Sequence, residues 1–241
     1  MKRISLCLIF IGITQILFAQ QIIEKSFSIQ KGQPVRLKFD FPKVKVSSWN
    51  KNEVKVKVTL NINDGKNNDK FRLLDKTEDG TLIISDTIDF KHIDQQYYAE
   101  LNGEKKKFDT KEDFENFKSD HKGEKYSFYS SNNADVQIEV LVPSNESVVV
   151  QSKFGMVEID NYTGSLTVKT EFGKINAKLK ESNVGNITLT NQFGKIYSNF
   201  DLKPTSREEK NFYTSITASP GKGPNYSLIS KFGNIYLRDV K

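Results

Sequence analysis

Two histidines, His92 and His121, are the side chains of this 241-residue sequence best suited to proton transfer or metal ligation. His92-Ile93-Asp94 offers two ligands or an acid–base pair, but the other histidine stands 29 residues away. A zinc site needs three or four ligands in a fixed geometry, so both histidines read as solvated loop residues. The single cysteine, Cys7, sits in an apolar N-terminal run, and no thiol nucleophile follows it. Neither a Gly-x-Ser-x-Gly turn nor a phosphate-binding glycine loop occurs. The expectation is a protein that is not an enzyme and that holds no cofactor and no metal.

Aromatic residues are better candidates for binding. Tyr97, Tyr98, Tyr126 and Tyr129 share one segment, and a tyrosine ring with its polar tip suits a sugar or a protein partner. The competing reading is that these rings pack their segment onto the rest of the chain. A second functional class is a carbohydrate-active β-helix enzyme, a polysaccharide lyase or hydrolase acting near 89–134 through His92, Asp94 and His121. Such an enzyme needs acid and base groups matched across neighbouring strands, and a repeat further along shows where they would stand.

That repeat is written four times: SKFGMVEID, TEFGKINAKL, NQFGKIYSNF and SKFGNIYLRD. The copies align on Phe154-Gly155, Phe172-Gly173, Phe193-Gly194 and Phe232-Gly233. Six places before each Phe stand Val148, Leu166, Ile187 and Tyr226; four before stand Val150, Val168, Leu189 and Leu228; two before stand Ser152, Thr170, Asn191 and Ser230. Steps of two keep one face of a strand, which makes the Phe column an inward, buried one. Beyond each Phe the inward phase jumps by three, to Val157, Ile175, Ile196 and Ile235, so each glycine is expected at a bend that needs its free backbone angles. The residues one before Phe are Lys153, Glu171, Gln192 and Lys231, and those four after are Glu158, Asn176, Tyr197 and Tyr236. No carboxylate pair recurs there.

The spacings between Phe residues are 18, 21 and 39, so the last gap equals about two units and is expected to hide a degraded turn around Phe212 to Ser219. VRLKFDFPKVKV repeats the template near the N-terminus, with Val35, Leu37, Phe39 and Phe41 before the corner, Pro42 in place of glycine, and Val44 and Val46 after it. Units of this kind build either a bent-strand sandwich or a β-solenoid. The column of like residues at each template place favours an all-β, right-handed β-helix-like stack of ~20-residue repeats.

Met1 to Ala19 joins Lys2 and Arg3 to an apolar run and a small residue, the form of a secretory signal peptide. About 15 apolar-leaning positions are too few to span a bilayer, which takes roughly 20. Without Lys2 and Arg3 the net charge falls from +6 to +4, mild and scattered in sequence, which argues against nucleic acid as a partner. The organisation read from these features is a signal peptide over 1–19, a β-strand part over 20–88, a tyrosine-rich insertion over 89–134 and the repeat part over 135–241. Within the insertion, Asn102-Gly103 marks a hairpin, and Asp109 or Thr110 starts a short helix carrying Phe114 and Phe117.

The leader, the opening VRLKFDFPKVKVSSWNKNEVKVKV and the closing SKFGNIYLRD together resemble the putative-adhesin family of exported bacterial β proteins, of the kind found in Bacteroidetes envelopes. The resemblance covers about 20–86 and 135–241 and leaves the insertion outside. It implies a β-helix-like fold of undefined activity, with no catalytic residues to carry over. The function expected is that of a non-catalytic, periplasmic or surface-exposed scaffold that binds an envelope glycan or protein, or self-associates.

Overall fold

The computed structural model describes residues 20–240, so the leader read over 1–19 lies outside them. Alternating apolar and polar residues form the strands. In order these are β1 (Gln21–Ser28), β2 (Val35–Phe39), β3 (Lys43–Trp49), β4 (Glu53–Ile62), β5 (Phe71–Glu78) and β6 (Thr81–Ile88). In β4 the alternation is complete: Val54, Val56, Val58, Leu60 and Ile62 are sealed from solvent, and the residues between them reach the surface.

The segment that follows makes a layer of its own. β7 (Gln96–Leu101), β8 (Glu104–Phe108) and β9 (Ser127–Ser131) pair antiparallel, with Asn102 and Gly103 at positive φ in the β7–β8 turn. The helix α1 (Lys111–Asp120) starts at Thr110, whose hydroxyl accepts the Asp113 amide at 3.0 Å. Phe108, Phe114 and Ala99 form a small core separate from the main one.

The chain then returns through β10 (Ala134–Pro143) to the repeat. Its units are β11 (Val148–Ser152) with β12 (Val157–Asp160), β13 (Leu166–Thr170) with β14 (Ile175–Leu179), and β15 (Ile187–Gln192) with β16 (Ile196–Ser198). A hairpin of β17 (Pro204–Lys210) and β18 (Tyr213–Ala218) precedes the last unit, β19 (Tyr226–Ser230) with β20 (Ile235–Asp239). The result is all-β apart from α1 and short turns: two open mixed sheets face each other across one core, and each repeat unit gives one strand to each sheet.

Equivalent template residues lie side by side in parallel register. Val35, Val148, Leu166, Tyr226 and Ile187 make one buried row, and Val44, Val157, Ile175 and Ile235 make another on the opposite sheet. The opening unit β2–β3 joins this stack in the register that its sequence template requires.

The order of units departs from a progressive coil. The nine-stranded sheet runs β17-β18-β15-β19-β13-β11-β2-β6-β5, so the last unit in sequence is inserted between its two predecessors. The long gap after Phe193 is therefore no degraded turn of the stack. It holds the antiparallel β17–β18 hairpin, laid against the outer edge of β15, and the return path to the vacant place beside β13. Every residue of β17 is exposed, and its Arg207–Glu209 and Lys210–Glu208 pairs put charge along the sheet's last edge, which opposes addition of further strands.

Candidate functional site

The corner between the two sheets carries a feature that period-two counting misplaces. β11, β13 and β19 end two residues before their Phe, at Ser152, Thr170 and Ser230. These buried hydroxyls donate to the glycine carbonyls of their own corners: Ser152 to Gly155 at 3.2 Å, Thr170 to Gly173 at 2.8 Å and Ser230 to Gly233 at 2.9 Å. In the fourth corner Asn191 accepts the Gly194 amide at 2.6 Å and donates to the Gly233 carbonyl at 2.7 Å. The strand phase ends where these bonds close the turn, and the Phe swings outward.

Phe154, Phe172, Phe193 and Phe232 are accordingly not core residues; they are 43–50% exposed. Nor does a left-handed φ explain the glycines. Among the four, none has positive φ, and a Cβ on Gly173 would lie 1.8 Å from the Gly155 carbonyl oxygen. Glycine is required because neighbouring corners stack backbone on backbone.

The outward rings form a continuous ladder. In spatial order Phe41, Phe154, Phe172, Phe232 and Phe193 stack nearly parallel, with centroids 5.0–5.2 Å apart. Phe212, at the tip of the β17–β18 hairpin and 73% exposed, adds a sixth ring 5.6 Å from Phe193. Phe90 closes the other end edge-on against Phe41, at 4.5 Å. At a strand spacing of about 4.8 Å, six rings make a strip roughly 24 Å long. Neighbours cover the ring faces, so solvent meets mainly ring edges.

Lysines flank this strip. Three places before the Phe, in register across the sheet, stand Lys38, Gln151, Lys169, Ile229 and Thr190. One place before stand Asp40, Lys153, Glu171, Lys231 and Gln192, and two places after stand Lys43, Met156, Lys174, Asn234 and Lys195. These 15 positions hold seven lysines and two carboxylates, a larger net positive charge than the +4 of the whole chain beyond Lys2 and Arg3. Among the described residues, the one ion pair any of the seven makes is Lys231–Glu171, at 3.9 Å. The outer face of the other sheet is different, because Lys45–Asp160, Lys178–Glu158 and Lys55–Glu24 pair at 2.8–3.0 Å and neutralise one another. An open depression of about 540 Å³ beside the ladder is lined by Lys38, Gln151, Lys153, Lys169 and Lys231 with Asp40 and Glu171.

At the Phe90 end, Asp86 accepts the Asp40 amide through Oδ1 at 3.0 Å, while its Oδ2 is buried without a partner. Burial pushes its carboxyl up to about 6. Its folded pKa exceeds the unfolded value, so the folded state holds this proton longer and stability falls as pH rises from about 4 to about 6. Asp86→Asn is expected to flatten that decline, because a neutral amide has no charge to bury. Urea melts at pH 4, 5, 6 and 7 would check it, and a variant that leaves the pH profile unchanged would refute it.

The four tyrosines do not form one platform. Tyr97 packs on Phe114, and Tyr126 meets Phe117 and His121 edge-on, both within the small core. Tyr98 and Tyr129 stack on each other at 5.4 Å, and the Lys105 ammonium lies 3.8 Å from the Tyr98 ring. His92 pairs with Asp89 at 2.7 Å, the Asp94 carboxylate accepts from Asn67 at 3.3 Å, and His121 Nδ1 meets the Phe117 carbonyl at 2.8 Å. Each of the three has different partners, and no cluster of three metal-binding side chains occurs among the described residues. Sequence reasoning missed the parts played by Phe41, Phe90 and Phe212 and by the lysines. The recurrence of Lys two places after the Phe, at 43, 174 and 195, is the signal that was available.

Comparison with known proteins adds distant likenesses. A putative cell adhesion protein from Clostridium sporogenes superposes with a TM-score of 0.49 at 12% identity, over 92% of this chain and 100% of that one. A putative adhesin from Bacteroides fragilis gives 0.23 at 10% identity over 92% and 98%, and one from Parabacteroides distasonis gives 0.24 at 10% identity over 90% and 97%. At such values neither fold nor function transfers to this chain. No protein-family model and no curated protein matches the sequence.

Proposed function

We propose that this protein is an exported, non-catalytic scaffold of the cell envelope, adhesin-like in design, whose ladder corner is its contact surface for an envelope component. The observation that carries the reading is the unbroken strip of six half-exposed Phe rings. Residues that merely close a turn need not be aromatic, and exposed apolar strips of this length mark interaction sites. The leader over 1–19 supports export, and the family resemblance supports a β-helix-like scaffold with 89–134 as an insertion. Among the described residues no helix is long and apolar enough to cross a membrane.

The test is capture of envelope fractions by the purified protein freed of residues 1–19. Phe172→Ser with Phe232→Ser is expected to reduce capture about tenfold, the effect of losing roughly 1.4 kcal/mol of contact. Undiminished capture by a folded double variant would move the contact surface elsewhere.

A further inference from the structure

Resting on that reading, we infer that the ladder corner docks on an anionic lipid surface, with the ring edges entering the interface and the flanking lysines meeting lipid phosphates. Three observations distinguish this occupant from a sugar chain or a protein groove ligand. Ring faces within the ladder are covered at 5.0–5.6 Å by their neighbours, and a sugar stacks on faces, not edges. The strip stands on an outer corner between two sheets, so it projects instead of enclosing a ligand. Cations accompany it: Lys153 and Lys231, one place before their rings, hold their ammonium groups 5.4 and 5.1 Å from the Phe154 and Phe232 centroids and share a depression with Lys38 and Lys169, and exposed Lys174 and Lys195 stand two places after their rings.

An apolar stripe between lysine rows is the arrangement by which a monotopic element lies in a bilayer interface. Short apolar groups reach the boundary between headgroups and acyl chains, and flexible ammonium groups stay at phosphate level. A polyanionic glycan would use the lysines but gain little from phenyl edges. Away from the corner, the eight-stranded sheet's outer face, where Lys45, Lys55 and Lys178 are already paired, offers no comparable attraction. Docking along the corner would lay the stacking direction flat on the membrane and turn that self-neutralised face away.

The experiment is flotation of the purified protein, freed of residues 1–19, with vesicles of phosphatidylcholine alone or containing about 30 mol% phosphatidylglycerol. Binding to the anionic vesicles is expected at about 0.05 M salt, at least tenfold tighter than to the neutral ones, and weakened at about 0.5 M salt. Phe172→Ser with Phe232→Ser is expected to lower affinity about tenfold. Lys153→Glu with Lys174→Glu and Lys195→Glu, which changes only exposed side chains, should do the same with the rings intact. Equal binding to both vesicle types, no binding to either, or unchanged binding of both variants would overturn the inference. Envelope capture that needs the ladder while anionic vesicles are ignored would remove the lipid assignment and leave the contact surface standing. Retention by a polyanionic glycan matrix without vesicle binding would assign the corner to a polysaccharide instead.

Discussion

Ending the chain after Pro224 is expected to abolish cooperative folding, not to shorten the stack by one unit. In a progressive solenoid each repeat touches only its neighbours, so removal of the last one costs a single interface. Here β19 pairs with both β13 and β15, and β20 with both β14 and β16. The cut removes Tyr226, Leu228, Ile235 and Leu237 from the core, and it exposes facing edges on both sides of the gap. Four such side chains contribute about 6–12 kcal/mol of burial at roughly 1.5–3 kcal/mol each, comparable to a domain's whole net stability of about 5–15 kcal/mol. Circular dichroism and urea melts of the truncated protein should show no sigmoidal transition. A sharp transition with a proportionally smaller slope would mean that the remaining units fold as an independent stack.

The inserted last unit also shows what the sequence could and could not convey. Register was legible, because template places six and four before Phe and three after it recur with apolar residues and align as predicted, the first two between β2, β11 and β13 and the third between β3, β12 and β14. Neighbour order was not, because every unit presents the same kinds of edge and the choice of partner is settled by the whole assembly. The Phe column was misread for a local reason: counting in twos holds only while the strand lasts, and the hydroxyl-to-carbonyl bonds at Ser152, Thr170 and Ser230 end it. The lysines were visible as letters but looked scattered, since Lys38 and Lys169 lie 131 residues apart in sequence and become near neighbours only through β11.

Within one Phe-Gly pair, the glycine is expected to govern stability and the phenylalanine to govern the surface. Gly173→Ala puts a methyl 1.8 Å from the Gly155 carbonyl oxygen, a backbone atom fixed by the stack on both sides. Relief requires neighbouring corners to part, which would strain the Glu171-to-Ser152 and Phe172-to-Lys153 backbone bonds at 3.1 and 2.7 Å. Overpacking of this kind against backbone costs about 3 kcal/mol or more. Phe172→Ala removes a ring that is 47% exposed and stacked between Phe154 and Phe232. Half-burial and the lost stacking come to about 1–2 kcal/mol, below the 3–5 typical of a fully buried Phe. Denaturant melts of the two variants would decide between the outward ladder and a buried column. If Phe172→Ala proved as costly as Gly173→Ala, the rings would belong to the core and the corner would lose its claim as a contact surface. If the glycine variant alone is crippled, the Phe has been kept for what it meets outside the protein.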